Sequence, residues 1–231
     1  MKVYLLCLLV FLLKHGSSCV GQRIPEKLVY QLAESVLDDY RQQLLHYLQK
    51  QAKSQVHVEH KPRVANDSIA ATMLVLDHIY PGYDSYRTLK IENRSYEFIR
   101  TSLLNYLSLA DLAYMRQQLP DAMKFKFDQT KLHSKGVKII AFDTLTALRK
   151  RVSKHIELPV ADFIEYRVRD TLVKQYGSRD LYKISCPLLS ENHKQAVINI
   201  GLPGGREELC IYSRKGKVWR KLEAILIAYH D

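Results

Sequence analysis

The sequence predicts an α+β fold in which a mainly helical N-terminal part packs on a C-terminal antiparallel β-meander. Three observations predict it: a long amphipathic pattern near the N-terminus, shorter helical patterns through the middle, and four β-rich runs between residues 182 and 229. Helical patterns that precede a block of strands are typical of α+β proteins. With 231 residues, of which 47% are hydrophobic and 26% charged, the chain is long and apolar enough for a buried core.

The first 22 residues have the pattern of an export signal. Lys2 is followed by an apolar run at residues 3–13, and small residues then lead into Cys19. Eleven helical residues rise about 16 Å, roughly half of a ~30 Å hydrocarbon core, so a membrane-spanning helix is disfavoured. We therefore expect residues 1–18 to be a signal peptide.

The approach to Cys19 is similar to the lipobox of bacterial lipoproteins, in which the cysteine carries lipid and becomes the mature N-terminus. The lipobox leucine three positions before the cysteine is replaced by Gly16, and Lys14 and His15 interrupt the approach. The alternative is an ordinary signal peptide, which leaves a soluble exported protein. The resemblance favours lipidation of Cys19, which implies a membrane-held protein that is periplasmic or associated with the outer membrane.

Residues 19–64 are predicted to hold this anchor, one long amphipathic helix and a polar linker. The helix spans residues 26–53, because apolar side chains recur there every three or four positions without a helix breaker. In the linker, His57 and His60 are three residues apart, but no third ligand with a characteristic spacing follows them. The sequence therefore predicts neither a metal site nor a cofactor.

Residues 65–231 are predicted to form an α+β domain with its sheet at 181–229. The patterns before the sheet predict helices at 67–79, 95–106, 108–119 and 162–176, and short strands at 125–127 and 137–142. Ser108 and Asp111 have the spacing of a capping box, and Pro120 is expected to end that helix. Gly177 is a well-placed stop for the last helix.

The four runs at the C-terminus predict sequential antiparallel strands. At 182–188 the apolar positions alternate with Lys183, Ser185 and Pro187, which indicates a sheet with one buried face. Gly216 supplies the tight turn before the last strand. In this order Cys186 and Cys210 would be about 9.6 Å apart, two inter-strand spacings, which exceeds the reach of a disulfide. Two separate thiols are therefore predicted.

Two segments resemble an uncharacterised group of exported bacterial lipoproteins. One is LSLADLAYMRQQL at 107–119, and the other is YKISCPLLS at 182–190, followed by a second strand and then a Gly-x-x-Trp strand at 216–219. Leu189 stands where that pattern commonly has an aromatic residue. Because the shared residues are caps, turns and core positions, the resemblance implies fold and location but no activity.

The chain is basic, with a net charge of +11, which becomes +9 once Lys2 and Lys14 leave with residues 1–18. Its cations are spread along the chain and cluster only at 149–151 and 214–221. Nucleic-acid binding would require cations beside aromatic residues or in a recognisable motif. The sequence therefore disfavours nucleic acid and favours an anionic membrane surface or an acidic glycan as partner.

No catalytic signature is present in the sequence. It contains no Gly-x-Ser-x-Gly, and the glycine-rich segment 201–206 lacks the Gly-Lys-Ser/Thr ending of a phosphate loop. Asp111 is the acid that we single out as a candidate functional residue. The helix dipole also accounts for an acid at this position, because it stabilises negative charge in the first turn of a helix. The sequence thus favours a binding or structural protein.

Two other hypotheses remain open at this point. The first is a secreted hydrolase whose acid and histidine site is assembled only on folding. The second is a sheet-and-helix cup that holds an apolar ligand over Ile184, Ile198 and Ile211.

Overall fold

The structure, a computed structural model, describes residues 23–55, 72–78, 97–154, 161–178 and 180–229. These residues form a mixed α/β protein with five helices and one seven-stranded sheet. The helices are α1 (Glu26–Gln55), α2 (Glu97–Leu104), α3 (Leu109–Ala122), α4 (Phe142–Ser153) and α5 (Ala161–Tyr176). The strands are β1 (Met73–Leu76), β2 (Val137–Ile140), β3 (Leu181–Ile184), β4 (Leu188–Leu189), β5 (Gln195–Gly201), β6 (Arg206–Lys215) and β7 (Val218–Tyr229).

The sheet has the strand order β2-β1-β3-β5-β6-β7, and the short β4 pairs with β5. β2, β1 and β3 run parallel to one another, whereas the pairings of β3 with β5, of β5 with β6 and of β6 with β7 are antiparallel. The sheet is therefore mixed and extends beyond the C-terminal residues. The predicted order of helices first and strands last does not hold for β1 and β2, because both precede α4 and α5 and supply the parallel half of the sheet.

The prediction of a helix at 67–79 is wrong for the part that the structure describes. Residues 73–76 form β1, and all four side chains are buried. β1 lies between β2 and β3, so its backbone groups are paired on both sides. A run of four apolar residues has no readable periodicity, and a parallel strand covered on both faces has this composition.

Several local signals are confirmed. The predicted helix at 26–53 is α1, and the predicted helices at 95–106 and 162–176 are α2 and α5. The capping box of α3 is formed in both directions between Ser108 and Asp111. Gly177 ends α5 with a φ of 76°, and its N–H donates to the Val173 carbonyl at 2.8 Å. This left-handed conformation is the one that favours glycine.

Other local predictions are wrong. Pro120 lies inside the last turn of α3 and does not end it, since a proline there removes only one late helical hydrogen bond. Residues 125–127 are not a strand; the Phe127 N–H instead donates to the Asp77 carbonyl at 2.7 Å. Phe142, placed by the sequence at the end of a strand, begins α4, which was not predicted.

The first C-terminal run is also interrupted. It contains β3 and β4, with a break at 185–187. Pro187 has no N–H to donate to a ladder. Ser185 keeps the chain against β5, because its N–H donates to the Asn199 carbonyl and its Oγ accepts the Asn199 N–H, each at 2.9 Å.

Two apolar clusters lie on opposite faces of β1. Met73 and Val75 belong to the larger cluster, which joins α1 and α3 to the antiparallel strands. Leu74 and Leu76 belong to the smaller cluster, which lies against α4 and α5. Helices therefore cover both faces of the sheet.

Candidate functional site

The residues that the sequence singled out are placed as follows. Cys19 lies outside the described residues, as do His57 and His60. Asp111 accepts hydrogen bonds from the Ser108 N–H at 3.1 Å and the Ser108 hydroxyl at 2.6 Å. These are the contacts of a helix-capping carboxylate. Ile184, Ile198 and Ile211, which the ligand-cup hypothesis invoked, are packed in the core.

A pair of polar residues that the sequence did not single out lies at the carboxyl end of β1. Asp77 follows the strand directly, and its carboxylate Oδ1 is 2.6 Å from Nδ1 of His78. Both side chains are largely shielded from solvent, with 12% and 16% of their surface exposed. The carboxyl ends of parallel strands are where open α/β sheets most often bind ligands.

Backbone groups hold Asp77 in place. Its N–H donates to the Ile140 carbonyl at 3.0 Å, and its own carbonyl accepts the Phe127 N–H. Oδ1 also accepts the Phe142 N–H at 2.9 Å, at the start of α4, where the helix dipole favours a negative charge. The carboxylate is therefore fixed by two neighbouring elements.

This arrangement orients the His78 imidazole. With a proton on Nδ1, His78 donates it to Asp77, and Nε2 then has a lone pair that can accept a proton. The ring packs edge-on against Phe142, with 5.2 Å between ring centroids. A carboxylate that holds a histidine in this way is the arrangement used to position a general base.

A cavity of about 410 Å³ begins beside Phe142 and is also lined by Leu76, Arg149 and Lys183. A second cleft of about 450 Å³ shares Arg149 and Lys183 and extends to the loop at 202–205. Both volumes fall within the usual range for small-ligand pockets. The two spaces share part of their walls beside α4 and α5, and together we call them the α5 groove.

Charged side chains from three elements line the α5 groove. Arg149 of α4 forms a two-point ion pair with Glu165 of α5, at 2.7 and 3.2 Å. Arg169 of α5 and Lys183 of β3 add two further cations, and burial lowers the pKa of Lys183. The groove therefore presents cations together with carboxylates.

Gly201 explains how Lys183 fits beneath this groove. The two residues are cross-strand partners, and a Cβ added to Gly201 would lie 3.2 Å from Cβ of Lys183. The backbone of Gly201 does not require a positive φ, so its role is to leave room for the lysine side chain.

A separate polar cluster lies on the opposite face of the sheet. The Tyr40 hydroxyl donates to Glu208 Oε2 at 2.5 Å and lies 3.6 Å from Cys210 Sγ. Burial raises the pKa of the Cys210 thiol to about 11 and also raises that of the Cys186 thiol. Cys186 and Cys210 are buried and are not joined in a disulfide, so neither thiol is a ready nucleophile.

The sequence missed the Asp77–His78 pair because the segment was assigned to a helix. The signal that could have indicated it is an acid and a histidine directly after a short buried apolar run. Arg149, Glu165 and Lys183 carry no local signature, since they meet only through tertiary packing.

Within the described ranges, no group of three histidine, cysteine or acidic residues is arranged to hold a metal ion. None of the helices placed by the structure is both long and apolar enough to cross a membrane. No protein-family model, curated protein or solved structure matches this chain. The resemblance to exported lipoproteins therefore stays a prediction.

Proposed function

We propose that this protein is an exported, lipid-anchored cell-envelope protein that binds a ligand and does not catalyse a reaction. The observation that carries the proposal is the sequence of residues 1–19: a positive start, an apolar run and small residues leading into Cys19. Each methylene of an acyl chain that enters a bilayer contributes about 0.8 kcal/mol, so acylation of Cys19 would hold the protein at a membrane.

The proposal includes an architecture in which the N-terminal helical part packs on the C-terminal antiparallel strands. Two contacts support it. Tyr40 of α1 donates to Glu208 of β6, and Gln118 of α3 bonds to the backbone of Leu189 in β4. This unit would be the body that the lipid holds at the membrane.

The anchor is tested by growing bacteria that express the full chain with radiolabelled palmitate. Wild type should incorporate label, and Cys19→Ala should not. Cys7→Ala is the matched control, because Cys7 lies within the proposed signal peptide and its loss should leave labelling intact. Equal labelling of wild type and Cys19→Ala would contradict the proposal.

We propose the α5 groove as the ligand site and an acidic glycan as its ligand. Arg149, Arg169 and Lys183 offer cations to sugar carboxylates, while Glu165 and Asp180 offer acceptors to sugar hydroxyls. This combination of cations and carboxylates in one groove suits a ligand that is acidic but also rich in hydroxyl groups.

Binding of oligogalacturonate, an acidic oligosaccharide, tests this site by calorimetry. Arg169→Gln should weaken binding about tenfold, because one charge-assisted contact contributes about 1.5 kcal/mol or more. Arg167→Gln is the matched control, since Arg167 lies on the same helix but over the ring of Phe163. Equal affinities for the two variants would contradict the assignment.

A hydrolase is the second candidate function, favoured by the Asp77–His78 pair. In this proposal Asp77 orients the imidazole, and Nε2 of His78 accepts a proton from a water molecule that attacks the substrate. The groove beside Phe142 would hold the substrate.

p-Nitrophenyl acetate and p-nitrophenyl phosphate serve as probe substrates for this second candidate. His78→Gln should lower the rate at least 100-fold, the usual contribution of a general base. His133→Gln is the control, because His133 is exposed and lines neither cavity of the α5 groove. Hydrolysis at the rate of the buffer blank, or equal rates for both variants, would reject the hydrolase.

A further inference from the structure

We propose that the tip of the β6–β7 hairpin, residues 214–221, docks on an anionic lipid bilayer. We call this segment the basic hairpin. The inference rests on the proposed function, because a lipid at Cys19 would hold the folded protein close to a membrane. It adds a second point of contact, made by the folded part of the chain. A single acyl chain binds membranes only marginally, and a polybasic surface is a common second signal.

The basic hairpin carries five cations and no acid, and they fall into two groups. Arg214 and Lys221 are occupied: the first lies over the ring of Trp219, with 5.6 Å to its centroid, and the second lies 4.2 Å from the ring centroid of Tyr40. The other three are exposed and form no ion pair within the part of the chain that the structure describes. They are Lys215, Lys217 and Arg220.

Apolar side chains accompany these three cations. Val218 is 58% exposed and Leu222 is 43% exposed, and both lie on β7, the last strand of the described sheet. The tight turn at Gly216, with a φ of 65°, fixes the tip. Cations around an exposed valine and leucine suit a bilayer surface, where charges meet phosphates and apolar groups enter the headgroup boundary.

Two other interpretations of the basic hairpin fit less well. A solvated face normally mixes both signs, as α1 does at Asp38, Asp39 and Arg41, whereas the hairpin has cations alone. A single-stranded nucleic acid would need an aromatic face on which bases stack. Trp219, the aromatic residue of the hairpin, is only 4% exposed and Arg214 covers it.

The test uses the full chain carrying Cys19→Ala, so that no acyl chain contributes. Binding to vesicles of pure phosphatidylcholine is compared with binding to vesicles containing about 30% phosphatidylglycerol, at about 100 mM salt. Residues 3–13, wherever they are retained, contribute equally to both vesicle types. We expect binding to the anionic vesicles that weakens as salt is raised.

The triple variant Lys215→Gln, Lys217→Gln, Arg220→Gln should bind the anionic vesicles about 100-fold more weakly, because each cation near such a surface contributes a factor of about five.

The matched control is the triple variant Lys150→Gln, Arg151→Gln, Lys154→Gln, which removes the same charge from exposed positions at the end of α4. The control should change binding by about threefold or less, because these cations lie outside the proposed docking surface. Thermal unfolding of both triple variants establishes that each is folded.

Three results would overturn the inference: no binding to anionic vesicles, equal losses in the two triple variants, or tighter binding to a duplex DNA that depends on the hairpin. The palmitate experiment separates this inference from the proposed function. Labelling of Cys19 without hairpin-dependent binding rejects the docking surface alone. Hairpin-dependent binding without labelling rejects the anchor alone.

Discussion

Tyr40 and Glu208 lie between α1 and β6, where both residues are almost fully buried. The phenol donates to one carboxylate oxygen at 2.5 Å, and Arg206 Nη2 lies 2.6 Å from the other oxygen. Burial raises the pKa of Tyr40 well above its usual range, so the phenol stays protonated and remains a donor. A buried carboxylate is tolerated here because both of its oxygens have partners.

Tyr40→Phe is therefore expected to lower the free energy of unfolding by about 1–3 kcal/mol, since it leaves a buried acceptor without its donor. Urea denaturation measures the change. Tyr166→Phe, at a residue 65% exposed on α5, is the control and should change stability by less than about 0.5 kcal/mol. Equal effects of the two substitutions would show that the hydrogen bond does not stabilise the fold.

At the scale of elements, β4 shows that a side chain can form the hydrogen bonds that a neighbouring strand would otherwise form. β4 has only two residues, and β5 pairs with one of its edges. On the other edge, Gln118 of α3 donates to the Leu189 carbonyl at 2.7 Å and accepts the Leu189 N–H at 2.9 Å. One amide side chain thus satisfies both polar groups of a buried backbone unit.

Gln118→Ala should lower the free energy of unfolding by about 2–4 kcal/mol, because it leaves two buried backbone groups unpaired. It should also speed hydrogen exchange at the Leu189 amide. Gln117→Ala provides the comparison, since Gln117 is the exposed neighbour on the same helix. Unchanged exchange at Leu189 in the Gln118 variant would refute this role for the side chain.

The terminal strand β7 illustrates how an edge is kept from pairing with another chain. It has twelve residues and is the last strand of the described sheet, which makes it a template for unwanted pairing. Two irregularities interrupt its register with β6, and Arg220 and Lys221 add charge. Bulges and charges are the usual devices that protect such an edge.

For the molecule as a whole, buried tyrosines connect stability to alkaline pH. Burial raises the pKa of Tyr40, Tyr182 and Tyr212, that of Tyr182 to about 12. In the unfolded chain these groups titrate near pH ~10. The folded protein therefore keeps protons that the unfolded chain releases, so this stability is fully present below about pH 10 and is lost as pH rises above it.

The free energy of unfolding should accordingly fall between about pH 10 and about pH 12. In Tyr182→Phe the slope should be shallower by up to about 1.4 kcal/mol per pH unit, the value for one proton. Denaturation series across this pH range measure it. A slope identical to that of wild type would mean that Tyr182 titrates normally in the folded state.

The sequence by itself determined the features that depend on neighbouring residues. The amphipathic period of α1, the capping box at Ser108 and Asp111, and the glycine stop at Gly177 are decided within a few residues, because helix periodicity and capping are local. These signals could be read directly, and the structure contains each of them.

Only the tertiary structure decided what depends on distant partners. Residues 73–76 become a strand because β2 and β3 offer parallel neighbours far along the chain, and no local pattern records that pairing. Asp77 gains its position from the start of α4, 65 residues later, and the α5 groove joins α4, α5 and β3. Burial and long-range hydrogen bonds set these sites, and they exist only once the sheet has formed.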